Sequence, residues 1–248
     1  MRPRRSSFAP FVLFLVACGG ARLAPSDVAA ADREEAEGGG VARYLAGEKA
    51  ECATERWDVK IGTDSNAATV DLTPTRTTVG ALRALAVPGP LGLHTPRFEG
   101  AERTVFELRD VRVVCFKHES GSSGDGDLHI VVEDPSDPVV SPAADPKCAR
   151  ISPKQNASWT DYKTLIVEIP DPRCLRAGNP WKKHIARARA EFEARYSATE
   201  SPRRVDDVVS LRGIGFFDKI HGQLGVVPNG IELHPLLSVK FISGTSCT

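Results

Sequence analysis

The sequence predicts a mainly β, α+β domain. Five apolar, β-branched runs are separated by turns rich in Gly, Pro and Asn. The first of these runs is long. One amphipathic helical pattern falls between the third and the fourth. That order matches a five-stranded OB-like Greek-key barrel with one helix between strands 3 and 4. An N-terminal extension precedes it.

The leader comes first. Arg2, Arg4 and Arg5 form a basic start, and Phe8 to Ala17 is apolar. A run of about ten residues is too short to span a bilayer and suits a signal peptide, 1–17. It ends Leu15-Val16-Ala17-Cys18-Gly19, which resembles a bacterial lipobox. The resemblance implies lipidation of Cys18, export, and a lipid anchor in the cell envelope. By analogy with enteric bacteria, Gly19 rather than Asp after the cysteine favours the outer membrane. Residues 18–50 carry that cysteine and an Ala-, Glu- and Gly-rich stretch that buries too little apolar surface to order itself, so they read as a tether.

Roughly 195 residues remain, enough for one sizeable core. Without the three leader arginines the 32 basic side chains fall to 29 against 32 acidic ones, a formal charge of −3. Nucleic-acid binders show a basic face, and this balance argues against one. Phe216 and Phe217 are candidates for stacking on bases, but alternation sends one of them into the core. Five cysteines remain beyond Cys18: Cys52, Cys115, Cys148, Cys174 and Cys247. An exported protein keeps disulfides, and five thiols allow two bridges whose pairing the sequence does not give.

Residues 51–98 form the extension. Trp57 to Ile61 alternates weakly, as a strand does, and Thr77 or Thr78 is placed to cap a short helix carrying Val79, Leu82 and Leu85. Residues 99–248 form the barrel domain. Its strands are Thr104 to Lys117, bent or bulged, then Asp127 to Glu133, Thr164 to Ile169, Val205 to Phe217 and Ile231 to Ile242. The Pro-rich segment 134–160 reads as a surface insertion. The helix starts at Asn179-Pro180, an N-cap followed by a proline suited to the first turn. Trp181, Ile185, Ala188 and Phe192 make its apolar stripe, and Lys182, Arg187, Arg189 and Glu193 a solvated face.

OB-folds hold ligands on the loops between strands 1 and 2 and strands 4 and 5, and on the face of strands 2 and 3. Here those loops are His118 to Gly126 and Asp218 to Gly230. The candidate ligand-binding residues are Asp127, His129, Asp218, His221, Gln223, Asn229, Glu232 and His234. Residues two apart share a strand face, so Asp127 points with His129 and Glu232 with His234. Carboxylates and imidazoles together suit a divalent cation such as Zn²⁺, with Asp127, His129 and His234 as candidate ligands. A water on such a metal is a nucleophile near neutral pH, which would make Glu232 a candidate base. The same groups also suit a hydrogen-bonded brace. Nucleophile elbows, phosphate loops and dinucleotide fingerprints are absent from the sequence. The expectation is a lipid-anchored binding or structural module for a small ligand or an envelope protein. A metal-dependent, phosphoester-type hydrolase using the same cluster is the alternative.

Four blocks occur in order: Val59-Lys60-Ile61-Gly62-Thr63-Asp64, Asp125-Gly126-Asp127-Leu128-His129, Ile169-Pro170-Asp171-Pro172-x-Cys174, and Gly213-x-Gly-Phe-Phe-Asp218-x-x-His221-Gly-Gln223 through Pro228-Asn229-Gly-Ile-Glu232-Leu-His234-Pro235. They resemble a group of exported bacterial proteins of uncharacterised activity. The resemblance spans about residues 55–242. It implies an OB-like fold and an exported location, and it implies no mechanism.

Overall fold

A computed structural model describes residues 52, 55–120, 125–136, 145 and 147–242. Cys18, Cys247, the signal peptide and the tether lie outside these residues. In order come α1 (Trp57–Ile61), β1 (Asp71–Arg76), α2 (Val79–Arg83), β2 (Thr104–His118), β3 (Leu128–Glu133), β4 (Thr164–Ile169), α3 (Lys182–Arg195), β5 (Arg203–Phe217) and β6 (Ile231–Phe241). The fold is mainly β, but the sheet has six strands, not five. The sixth is β1, in the extension. It escapes sequence reading because Asp-Leu-Thr-Pro-Thr-Arg contains a proline and no apolar alternation, and all six residues are exposed. An edge strand tolerates both features. Parallel pairing to β2, with Thr75 opposite Phe106, holds it in place.

The sheet order is β1-β2-β3-β4-β6-β5, and β2 also pairs with β5. The β1–β2 and β4–β6 pairs are parallel; the others are antiparallel. β2 serves two partners because it is long and irregular. Its register to β5 shifts between Leu108 and Val111 and again between Val113 and Cys115. Asp110, at φ 55°, sits in the first shift.

Strand alternation then sorts side chains to two faces. Leu128, Ile130 and Val132 of β3, Leu165, Val167 and Ile169 of β4, and Ile231 and Leu233 of β6 enter the main core. Ile185, Ala188 and Phe192 of α3, and Trp181 just before it, enter it too, as their spacing predicts. The helix starts at Lys182 with Trp181, not Asn179, in the cap position. Asn179 accepts from the Trp181 N–H through its side chain at 2.9 Å. Phe116 packs edge-on to Phe192, ring centres 5.2 Å apart. Arg189 departs from expectation. It is buried, and its Nη1 donates to the Gly126 carbonyl at 2.7 Å and to the Ile169 carbonyl at 3.2 Å. A guanidinium on a long stem reaches past the apolar stripe to close strand ends.

The other face carries a smaller cluster of Val114, Cys115, Val131, Cys148, Ile151 and Leu224. Cys148 and Ile151 belong to the Pro-rich segment, which is therefore stapled to the sheet by the Cys115–Cys148 disulfide. Cys52 pairs with Cys174 across a sequence separation of 122. Trp57 to Ile61 is a helix rather than a strand, ended by Gly62 at φ 70°. Thr78 caps α2, its Oγ1 accepting from the Ala81 N–H at 3.1 Å. Among the described residues, no helix is long and apolar enough to cross a membrane.

Candidate functional site

Register builds the site. β3 sets His129 opposite Glu168 of β4, and β4 sets Ile166 opposite Glu232 of β6. His129, Glu168, Glu232 and His234 thus share the sheet face turned away from α3. All four are buried.

Glu168 stands at the centre. Its Oε1 accepts from His129 Nδ1 at 2.6 Å, and its Oε2 accepts from His234 Nδ1 at 2.8 Å. The two imidazoles are not equivalent. His129 Nε2 lies 2.8 Å from the Leu224 carbonyl, which can only accept. Both ring nitrogens of His129 therefore carry protons, and the ring is an imidazolium. Burial works against that charge, but the Glu168 carboxylate outweighs it and raises the His129 pKa. In Glu168, burial favours the protonated acid, yet the hydrogen bonds from both histidines hold the carboxyl well below the ordinary glutamate range. Burial lowers the pKa of His234. The bond to Glu168 selects the tautomer with the proton on Nδ1, which leaves the Nε2 lone pair without a partner.

The extension lays a second cation over this face. Lys60 is buried, with its ammonium 5.5 Å from the centre of the Phe216 ring. Burial disfavours the charge, but Glu168, Asp218, Glu232 and Asp125 outweigh it and raise the pKa above the ordinary lysine range. The backbone around Lys60 is fixed by Arg56. Its guanidinium forks onto Glu102 at 2.9 and 2.7 Å and donates to the carbonyls of Phe217, Thr95 and Pro96. Glu102 in turn accepts from the Phe217 and Phe98 N–H groups. Every polar atom of this ion pair is engaged, the condition for holding two charges in an interior.

Asp127 closes the cluster. Gly126, at φ 80°, turns the chain into β3, and a Cβ there would lie 3.1 Å from that of Asp171. Asp127 Oδ1 accepts from the Asp171 N–H at 3.1 Å. Its Oδ2 faces His234 Nε2 at 3.5 Å, and neither atom has a hydrogen-bond partner. Glu232 Oε1 is also buried and unpartnered, 3.5 Å from His234 Nδ1. Burial pushes both carboxyls well above their usual ranges, reinforced at Asp127 by Asp125 and at Glu232 by Glu168.

The structure brings together Asp127, His129, Glu232 and His234 around Glu168, and Asp218 joins Glu168 and Glu232 in raising the Lys60 pKa. His221 and Gln223 attend to Asp218. Gln223 donates to its Oδ2 at 2.8 Å, and His221, 58% exposed, lies 3.8 Å from the same oxygen. Asn229 serves another end, donating to the Leu82 and Leu85 carbonyls behind α2. Asp127, Glu168 and His234 can offer ligand atoms within 4.8 Å of one another; His129 groups instead with Glu119 and Glu168. Sequence reasoning missed Glu168 and Lys60. For Glu168 there was a signal: one carboxylate in the otherwise apolar run Thr-Leu-Ile-Val-Glu-Ile, in a strand buried along its whole length. Compared with known family models, curated proteins and solved structures, the chain matches none.

Proposed function

We propose that this is an exported, lipid-anchored cell-envelope module that binds a polar ligand on the outer face of β3, β4 and β6. One observation carries the reading. Asp127 Oδ2, His234 Nε2 and Glu232 Oε1 are buried, unpartnered and gathered around one carboxylate. Buried polar atoms are normally satisfied, and an unsatisfied group marks a role beyond packing. An OB-like barrel agrees with this placement. β2 shared between β3 and β5, a parallel β4–β6 pair and a helix between β4 and β5 support it, with β1 as an addition. The face of the second and third barrel strands is where such folds hold ligands. Two disulfides suit an oxidising compartment. The lipobox-like Leu15 to Cys18 supports the anchor, and Cys18→Ser is expected to move the protein from the membrane to the soluble fraction.

Asp127→Asn tests the site. An amide keeps the acceptor for the Asp171 N–H and turns a donor toward His234 Nε2. If ligand binding is what keeps a carboxylate there, the ligand-free variant should gain about 1 kcal/mol, a rise of roughly 2–4 °C in melting temperature. A fall in melting temperature would mean that the carboxylate braces the fold, and the ligand reading would fail.

A metal-dependent hydrolase is the second reading. The observation favouring it is the Glu168–His234 pair, a carboxylate that fixes the tautomer of an imidazole whose other nitrogen is free. Glu232 stands beside it as a base.

A further inference from the structure

We infer that Asp127 Oδ2 and His234 Nε2 clamp one divalent cation, with Zn²⁺ the best fit, while Glu168 orients His234 for it. The inference rests on the outer face being a ligand surface. It changes the ligand set that the sequence suggests. His129 is removed, because both its nitrogens act as donors, to Glu168 and to the Leu224 carbonyl. Glu168 enters as the carboxylate behind a metal-bound histidine, the arrangement that holds such rings in place.

Distance separates a metal from the other possible occupants. The two atoms are 3.5 Å apart. A direct hydrogen bond would bring them to about 2.7–3.2 Å. A water about 2.8 Å from each would see them at an angle of about 77°, compressed for a tetrahedral molecule. A cation about 2.1 Å from each sees them at about 113°, close to the tetrahedral angle that Zn²⁺ adopts. Donor chemistry agrees, since neutral imidazole nitrogen and carboxylate oxygen are both Zn²⁺ ligands. Bulk water does not satisfy these atoms, because both residues are fully buried.

The test uses the full chain, purified in detergent, stripped with EDTA and titrated with Zn²⁺ against a chromophoric chelator. A parallel titration with Co²⁺ reads the visible absorption of tetrahedral coordination. One equivalent should bind. Asp127→Asn and His234→Gln should each weaken it at least 100-fold. Glu168→Gln should weaken it about 10–100-fold. His184→Ala, which removes an exposed imidazole on α3, should leave it unchanged. The melting temperature of Asp127→Asn in EDTA shows whether that variant is folded. Absence of stoichiometric Zn²⁺, or binding lost only in His184→Ala, overturns the inference. If no ion binds but Asp127→Asn is more stable than the parent, the ligand surface stands and the cation falls. If no ion binds and Asp127→Asn is less stable, both fall.

Discussion

Glu168→Ala is expected to cost about 3–5 kcal/mol of folding stability, read from denaturant unfolding at neutral pH. The carboxylate accepts one hydrogen bond from each of two buried histidines. Its loss strands the His129 imidazolium, whose second proton is committed to the Leu224 carbonyl. Glu168→Gln should recover only part of the loss. An amide has one acceptor oxygen, so its NH₂ would face an imidazole N–H unless His234 changes tautomer. The pH dependence follows from the two shifts. Glu168 is held below its unfolded value, so its contribution is present above the ordinary glutamate range and lost as pH falls toward its folded value. His129 is raised, so its contribution is present below the ordinary histidine value and lost as pH rises through its folded value. The parent's stability should fall on the acid side below the ordinary glutamate range and on the alkaline side above the ordinary histidine value, and Glu168→Gln should flatten both limbs. A parent profile as flat as the variant's would contradict the imidazolium–carboxylate assignment.

Removing the Cys52–Cys174 disulfide should be at least as costly. The bond closes a sequence separation of 122, against 33 for Cys115–Cys148. Constraining the unfolded chain over such loops stabilises by about 5 and about 4 kcal/mol respectively in the chain-entropy account. Cys52→Ala with Cys174→Ala is therefore expected to lower the unfolding free energy by about 5 kcal/mol. The matched Cys115→Ala with Cys148→Ala variant should lose about 4 kcal/mol from loop entropy. It should lose more than that, because both of its cysteines are buried in the smaller apolar cluster. If Cys52 and Cys174 prove dispensable, the extension must be held by Arg56 and Glu102 rather than by the bond.

Strand positions were legible because alternation and turn residues are local signals. β4 runs over the same residues that the sequence predicts, and β2, β3, β5 and β6 differ by a residue or two at their ends. β1 was not legible, since a polar, proline-containing strand is specified by its partner β2 rather than by its own pattern. Val59-Lys60-Ile61 alternates like a strand, yet a positive-φ Gly62 closes it as one short helix. Arg189 looked solvated because a helical pattern records direction and not reach. The site was half legible. Alternation placed Asp127 with His129 and Glu232 with His234. That the two pairs meet depends on β4 lying between β3 and β6. The same adjacency makes Glu168 the central group, and spacing along the chain says nothing about it. Disulfide pairing was equally out of reach, because it depends on where the chain returns.

The Cys52–Cys174 bond also has a mechanical meaning. Tension arriving from residues before Cys52 has a covalent route across the sulfurs to Cys174. Residues between them form a closed loop whose backbone carries no covalent tension from a pull between the two ends of the chain. That loop holds Lys60, Asp127, His129 and Glu168. At about 3.5 Å per residue, some 400 Å of contour is withdrawn from any stretching of the molecule. β5 and β6, with Glu232 and His234, lie outside the loop and bear the load. A strong pull would thus part His234 from Glu168 by drawing β6 away from β4, while the half of the site on β3 and β4 stays inside the shielded loop.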